Sequence, residues 1–242
     1  MKALIDLDIL CYELGGEFED NDGKTITDPA DPAVMQRVHG KIGSILRTTS
    51  ADSWEGFITE SRSNFRIKVA TLRPYKGKRQ PDKPPFYYVI RGTLIGYPNV
   101  TVVRGQEADD ALGIYQAKNG LLPPDECETI ICSRDKDLRM IPGWHFGWNM
   151  GNQKQFGPEY ISELEGLKLF YIQMLIGDPV DNIPGLYGVG PKSAYAKRVK
   201  QATSEVEMFN IVSTEYKCRF DSEWERFYDE NYELLWIRRE SA

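Results

Sequence analysis

Short apolar, β-branched runs punctuate the first half of the chain: Ala3 to Leu7, Val100 to Val103 and Thr129 to Cys132, with Trp54 to Ile58 a weaker member of the set. None alternates cleanly between apolar and polar positions, which is the pattern of strands covered on both faces. Between them lie stretches with helical spacing, Ala33 to Leu46 and Ala108 to Lys118. Strands separated by helices predict βαβ crossovers and a central, mostly parallel sheet, hence an α/β fold. After about residue 150 the pattern turns mostly helical, interrupted by a Gly/Pro-rich stretch from Gly177 to Pro191. The segment Ser222 to Arg239 reads as an aromatic, charged helix with no role beyond packing. The expected organisation is a core over 1–165, including a basic segment at about 66–91, and a helical lobe over 166–242.

Open parallel sheets gather functional groups at the carboxyl ends of their strands, and acids sit at those ends here. Asp6 and Asp8 close the first run and, two apart, are expected to share a strand face. Glu107, Asp109 and Asp110 follow the Val100 run, and Asp135 and Asp137 follow the Thr129 run. Asp178 and Asp181 stand in the Gly/Pro-rich stretch. Each group has an ordinary alternative. Acids in a first helical turn suit the helix dipole, and aspartates just past a strand suit a turn or a cap. Asp6 fits an ordinary role least well, because a buried strand rarely accepts unpaired charge. Taken together, nine scattered carboxylates suit hard divalent cations, which prefer oxygen ligands. Two such ions can serve an in-line phosphodiester hydrolysis.

The formal net charge of −6 counts at first against a nucleic-acid partner. If ions neutralise those nine acids, the remainder carries +3 and need not repel DNA. The segment from Arg66 to Arg91 is rich in Lys and Arg against the single acid Asp82, with prolines and tyrosines interleaved. Its Arg66, Lys68, Arg73, Tyr75, Lys76, Lys78, Arg79 and Lys83 form either a solvated positive face or a track for phosphates with aromatics that stack on unpaired bases. Gly185 to Ser193, with Gly188, Gly190 and Lys192, is a Gly-rich loop opening onto a helix, a shape that offers backbone N–H groups to phosphate. It is no Walker loop, since Pro191 stands where the lysine must be, and no Rossmann fingerprint, since no strand precedes it. A helix–loop–helix that grips a nucleic-acid backbone without reading sequence remains.

Four cysteines, Cys11, Cys127, Cys132 and Cys218, form no C-x-x-C pair, and the only histidines are His39 and His145. Zinc chemistry and a disulfide framework are therefore disfavoured, and free thiols are expected. There is no apolar run of membrane-spanning length, and the opening MKALIDLD lacks the apolar stretch of a signal peptide. A cytoplasmic protein without membrane association is expected.

In order along the chain, Asp6, the FR…PYKGKR segment from Phe65 to Arg79, GQEADDAL from Gly105, SRDKDL from Ser133 and MLIGDPVDNIPGLYGVGPKSA from Met174 resemble the flap endonuclease/5′–3′ exonuclease family. That family includes phage exonucleases and the 5′-nuclease domains of bacterial DNA polymerases. The resemblance covers most of residues 1–200 and implies a parallel-sheet nuclease core with a helical arch and a helix-three-turn-helix lobe. It implies metal-binding carboxylates at Asp6, Glu107, Asp109, Asp110, Asp135, Asp137, Asp178 and Asp181, with Asp6, Asp110 and Asp135 carrying catalysis. Those residues would hold two or more Mg²⁺ or Mn²⁺ ions. Lys76 and Arg79 become candidates for stabilising transition-state charge. Arg66, Arg73, Tyr75, Lys76, Lys78, Arg79 and Lys83 become candidates for DNA contact in the arch, and Gly188, Gly190, Lys192 and Ser193 in the loop, where the family often holds K⁺. The family usually has an aspartate shortly before its F-R motif; here Glu60 is the only acid in that stretch.

The implied activity is two-metal hydrolysis of DNA at or near 5′ ends, flaps or nicks, in replication or repair. An RNA–DNA hybrid is a further candidate substrate. With no polymerase domain following, a standalone nuclease is implied, acting in the host cytoplasm if phage-encoded. Two alternatives stay open: a non-catalytic, structure-selective DNA-binding protein of the same fold, and a PIN-like ribonuclease.

Overall fold

In a computed structural model, which describes residues 1–78, 82–120 and 122–240 apart from the side chains at 61–63, 119 and 120, the apolar runs pair as neighbouring strands. The chain opens with β1 (Lys2–Asp6), α1 (Leu7–Glu13) and a small hairpin of β2 (Phe18–Glu19) and β3 (Thr25–Ile26). α2 (Pro32–Thr49), β4 (Ser53–Asn64), α3 (Arg66–Val69), α4 (Tyr87–Ile95), β5 (Val100–Gly105) and α5 (Ala108–Gly120) follow. β6 (Thr129–Cys132), β7 (Gly143–Gly147) and β8 (Phe156–Ile161) complete the sheet. Beyond it come α6 (Glu163–Ile176), a second small hairpin of β9 (Gly177–Asp178) and β10 (Ile183–Pro184), α7 (Ala194–Gln201), α8 (Glu205–Phe220) and α9 (Trp224–Leu235).

The main sheet runs β5-β4-β1-β6-β7-β8; all its pairings are parallel except β7 with the edge strand β8. From β1 the chain first adds strands on one side, β4 then β5, and afterwards on the other, β6 then β7. The reversal puts a topological switch point beside β1, with Asp6 as that strand's last residue. Burial on both faces follows the side-chain alternation of β1. Ala3 and Ile5 pack with Leu10, Val38, Ile42 and Ile90, while Leu4 packs with Phe57, Ala108 and Leu112. A separate core, built on Phe170, Met174, Val212, Tyr216 and Leu234, holds the helical lobe together.

Local chemistry sets the helix ends. Asp31 caps α2 by accepting from Ala33 N, Pro32 occupies its first turn, and Ser162 and Glu165 form a reciprocal capping box at the start of α6. The fold differs from the sequence reading in two places. Asp8 lies in α1, not on a strand face with Asp6, because the strand ends at Asp6, whose side chain caps the helix through Ile9 N. β7 and β8 went unpredicted: the first reads Gly-Trp-His-Phe-Gly without β-branched residues, and the second contains Pro158, which only an edge strand accepts easily. The expected division at residue 165 falls inside α6. Among the described residues no helix is long and apolar enough to cross a membrane, and none of the four cysteines is in a disulfide.

Candidate active site

The carboxyl ends of β1 and β6 deliver the first acids. Asp6 is 2% exposed, accepts from Ile9 N at 3.2 Å and takes the Ser133 hydroxyl at 2.8 Å. Ser133 Oγ in turn accepts from Asp135 N at 2.9 Å, and Asp135 accepts from Asp137 N at 2.8 Å. One ladder of short bonds therefore fixes Asp6, Asp135 and Asp137 relative to one another. Gln173, on α6, donates to Asp137 at 2.6 Å and anchors the ladder to the lobe. Beyond β5, Glu107 and Asp109 enter from the start of α5, whose Ala108 N is held by the Thr59 hydroxyl of β4 at 2.8 Å. The β9–β10 hairpin supplies Asp178 and Asp181; Asp178 turns its own loop by accepting from Val180 N at 2.8 Å.

These elements meet at a small pocket of about 40 Å³, lined by Glu107, Asp109, Asp135, Asp137, Asp178 and Asp181 together with Tyr75, Lys76 and Gln173. A groove of about 840 Å³, bounded in part by Asp8, Tyr12, Lys136, Asp178 and Asp181, adjoins it. Like charges this close, withdrawn from water, resist ionisation. Burial first, and then the charge of Asp8, pushes the Asp6 carboxyl up to about 7. Burial, followed by Asp135, pushes Asp137 up to about 7. Asp109 and Asp135 are raised as well, burial again leading the causes.

The basic segment supplies the counterweight. Lys76 Nζ lies against Glu107 and 3.7 Å from Asp181, and the Tyr75 hydroxyl stands 2.9 Å from Glu107 and 3.0 Å from Asp181. Burial, then those two charges, keeps the Tyr75 hydroxyl protonated well beyond its ordinary range. Two hydrogen bonds dock this segment on the hairpin: Lys76 N donates to Asp181 O at 2.9 Å, and the side-chain Nδ2 of Asn182 donates to Pro74 O at 2.9 Å. Lys76 and Asn182 both hold positive φ, 55° and 61°, a conformation that persists only where surroundings enforce it. With Lys76 and Tyr75 between the acids, no three His, Cys, Asp or Glu side chains among the described residues are arranged to hold an ion. The donor set nonetheless suits a hard divalent cation: carboxylate oxygens on several elements, raised in pKa by burial and then by one another's charge.

Two expected site residues are placed elsewhere. Asp110 is fully buried, and Arg66 grips both its oxygens at 2.6 and 2.8 Å. Glu107 N and Arg238 N complete its contacts, leaving Asp110 no face for an ion. Arg66, 2% exposed, also donates to Leu234 O and Trp236 O, so it is removed from any DNA-facing surface. The E-A-D-D spacing looks alike for both purposes, and only the buried arginine separates them. Glu60 pairs with Arg104 at 3.0 Å and does not line the acidic pocket. Asp8 binds Thr59 N and Arg91, tying α1 to β4 and α4.

Arg73 and Lys78 are exposed, while Lys83 lies over the rings of Tyr12 and Tyr87, 4.3 and 5.0 Å from their centroids. Arg79 lies outside the described residues. In the 185–193 loop, Gly188 has φ +75° and, like Gly190, faces open space. Lys192 is exposed, and Ser193 caps α7 by accepting from Ala196 N. Thr59, Gln173 and Arg91 escaped the sequence reading, since each is a lone polar residue whose partner lies far along the chain.

No family model matches the chain. Among curated relatives, it is 30% identical over 179 residues to DNA polymerase I of Bacillus subtilis (strain 168), which covers 68% of this chain and 20% of that protein. It is 29% identical over 143 residues to the 5′-3′ exonuclease of Buchnera aphidicola subsp. Schizaphis graminum, covering 55% of this chain and 48% of the relative. It is 30% identical over 109 residues to flap endonuclease Xni of Shewanella frigidimarina, covering 43% and 42%. The chain thus spans about a fifth of the polymerase and just under half of the two nucleases. Its fold matches the 5′-exonuclease of bacteriophage T5 bound to zinc, with TM-score 0.53 and 16% identity over 98% of this chain and 100% of the other. It matches equally a flap endonuclease of the same phage in a pseudo-enzyme-product complex with DNA and metal ions, with TM-score 0.52 and 16% identity over 97% and 98%. By sequence its relatives are the flap endonucleases, 5′–3′ exonucleases and DNA polymerases I that its motifs resemble.

Proposed function

We propose that this chain is a divalent-metal-dependent 5′-nuclease that hydrolyses DNA phosphodiester bonds at or near 5′ ends. The observation that carries the reading is the convergence of six carboxylates from three separate segments on one pocket that Tyr75 and Lys76 of the basic segment also line. A structural core has no use for so many mutually repelling acids.

Asp6, Glu107, Asp109 and Asp135 would hold one ion, and Asp137, Asp178 and Asp181 the other. Bound Mg²⁺ or Mn²⁺ would supply activation of the attacking water and neutralisation of the leaving oxygen. The remaining steps belong to the chain's own groups. The Ser133 bonds fix Asp6 against Asp135, and Gln173 fixes Asp137, so the acids keep their spacing when charge arrives. Lys76, once released from Glu107, offers its ammonium to the non-bridging oxygens of the scissile phosphate. Arg79 is a second candidate for that role. Arg73, Lys78 and Lys83 would track the single strand, with Tyr75 beside them. Gly188 and Gly190 would let backbone N–H groups approach the duplex, Lys192 and the Ser193 hydroxyl would contact phosphates, and K⁺ is a candidate ion at that loop. A site that reads backbone alone also admits an RNA–DNA hybrid. The setting consistent with this activity is the cytoplasm, or a host's cytoplasm for a phage protein.

Cleavage of 5′-labelled single strand, blunt duplex, nicked duplex and 5′ flap, with Mg²⁺, Mn²⁺ or chelator, tests the reading. Metal-dependent release of mononucleotides marks exonuclease action, and a released oligonucleotide marks flap cutting. Binding without cleavage under every condition would sink it and leave a non-catalytic DNA-binding protein.

A further inference from the structure

α9, which the sequence left without a task, bonds to the basic segment, to the hairpin and to Arg66. Its Glu230 is 7% exposed and accepts from Thr71 N at 2.8 Å, from Leu72 N at 2.7 Å and from the Thr71 hydroxyl. Thr71 and Leu72 begin the stretch that leads from α3 to Tyr75 and Lys76. The next residue, Asn231, is 3% exposed and donates to Pro184 O at 2.8 Å, in the hairpin that carries Asp178 and Asp181. One turn on, Leu234 O and Trp236 O receive the guanidinium of Arg66, which holds Asp110 and through it the start of α5. A single helix end therefore references the basic segment, the hairpin and the Glu107 helix to one frame.

We propose that Glu230 is a positioning residue that holds the Thr71–Leu72 backbone so that Lys76 reaches the acidic pocket. Burying a carboxylate is costly, and among the described residues no cation pairs with this one. If packing alone were needed, an apolar side chain would fill the space at less cost. What the carboxylate adds is two acceptor oxygens aimed at three donors of one short segment. That segment is fixed at its far end by Lys76 N on Asp181 O and Asn182 on Pro74 O. With both ends held, the intervening residues have one path, and the lysine side chain starts from a fixed point. The proposal rests on the nuclease reading for its catalytic consequence but not for its geometry.

The test compares Glu230→Ala, Glu230→Gln and Lys76→Ala in the full chain. Gln keeps one acceptor for the two backbone donors and can donate to the Thr71 hydroxyl, so it should preserve the hold. In metal-free, folded protein, acetylation of the Lys76 amine, read by mass spectrometry, should speed up several-fold in Glu230→Ala and stay near wild type in Glu230→Gln. Single-turnover cleavage should fall on the order of 10²-fold in Glu230→Ala with KM unchanged, because a displacement of about 1 Å costs that much. In a Lys76→Ala background, Glu230→Ala should cause no further fall. Unchanged acetylation, or an equal loss of rate in both backgrounds, overturns the proposal. Wild-type protein that cleaves nothing would overturn the nuclease reading instead, leaving acetylation to decide the geometry. Should Glu230→Ala fail to fold, Glu230→Asp, which withdraws the charge by one methylene, is read the same way.

Discussion

The ammonium of Lys76 lies against the Glu107 carboxylate, inside the group of acids that would hold the ions. On the proposed assignment, a cation from the chain itself would compete with a divalent ion for the same oxygens. Replacing Lys76 with Ala should therefore tighten Mn²⁺ binding, measured by calorimetry without DNA. Cleavage should nonetheless fall by about 10² to 10³-fold, the usual cost of losing one group aimed at developing charge. A weaker Mn²⁺ affinity in the variant would show that the lysine does not compete.

Asp135 and Asp137 repel each other across one short turn, with Asp137 N donating to Asp135 at 2.8 Å. Converting both to Asn should abolish cleavage, since neutral amides are poor ligands for hard cations. Duplex affinity, measured by fluorescence anisotropy in chelator, should hold or improve as negative charge leaves the groove lined by both residues. The metal-free protein should also melt higher. Persistent cleavage would remove the two residues from the mechanism.

The same acids fix the direction of the pH dependence. Asp6 and Asp137, raised to about 7, keep protons that the unfolded chain releases near the ordinary carboxylate range. Where the native state binds more protons, stability falls as pH rises, here from that range up to about 7. His145, held down to about 4 by burial, works the other way below its ordinary 6.5, but it is one group against several. The melting temperature of metal-free protein should decline from about pH 5 to about pH 8, and added Mg²⁺ should raise it more at the higher pH. A metal-induced shift that ignores pH would mean the ion binds elsewhere.

Arg66 and Asp110 form a bidentate pair with side chains 3% and 0% exposed. Breaking such a pair leaves an uncompensated buried charge. Arg66→Gln should therefore lose about 3 to 5 kcal/mol in chemical denaturation. Below its melting point the variant should keep the wild-type salt slope of DNA binding. A stable variant whose slope drops by about one would restore Arg66 as a phosphate contact.

The pair also marks where sequence reading stops. Strands with both faces buried, and acids at their carboxyl ends, were legible because burial pattern and strand polarity are local properties. The positions of Asp6, Glu107 and Asp135 at or just past the ends of β1, β5 and β6 followed from them, whereas Asp178 and Asp181 stand in a hairpin outside the main sheet, beyond the reach of that rule. The pairing of Asp110 with Arg66 was hidden because its partner stands 44 positions away. Glu230 was invisible because its partners lie 159 and 158 positions away. Nothing in the helical spacing of α9 separates an acid that faces solvent from one that holds a backbone.

The glycine loop separates fold from binding within a single pair of residues. Gly188, at φ +75°, should resist any side chain, with Gly188→Ala losing about 1 to 2 kcal/mol from backbone strain alone. Gly190 has no positive φ, and a Cβ there meets nothing within 4 Å. Gly190→Leu should then leave the melting temperature unchanged. If the loop lies against a duplex backbone, the same variant should weaken binding of blunt duplex by about tenfold or more, since a side chain now stands where phosphates must approach. Wild-type duplex affinity in a stable Gly190→Leu protein would take this loop out of the DNA interface and leave duplex contact to the basic segment.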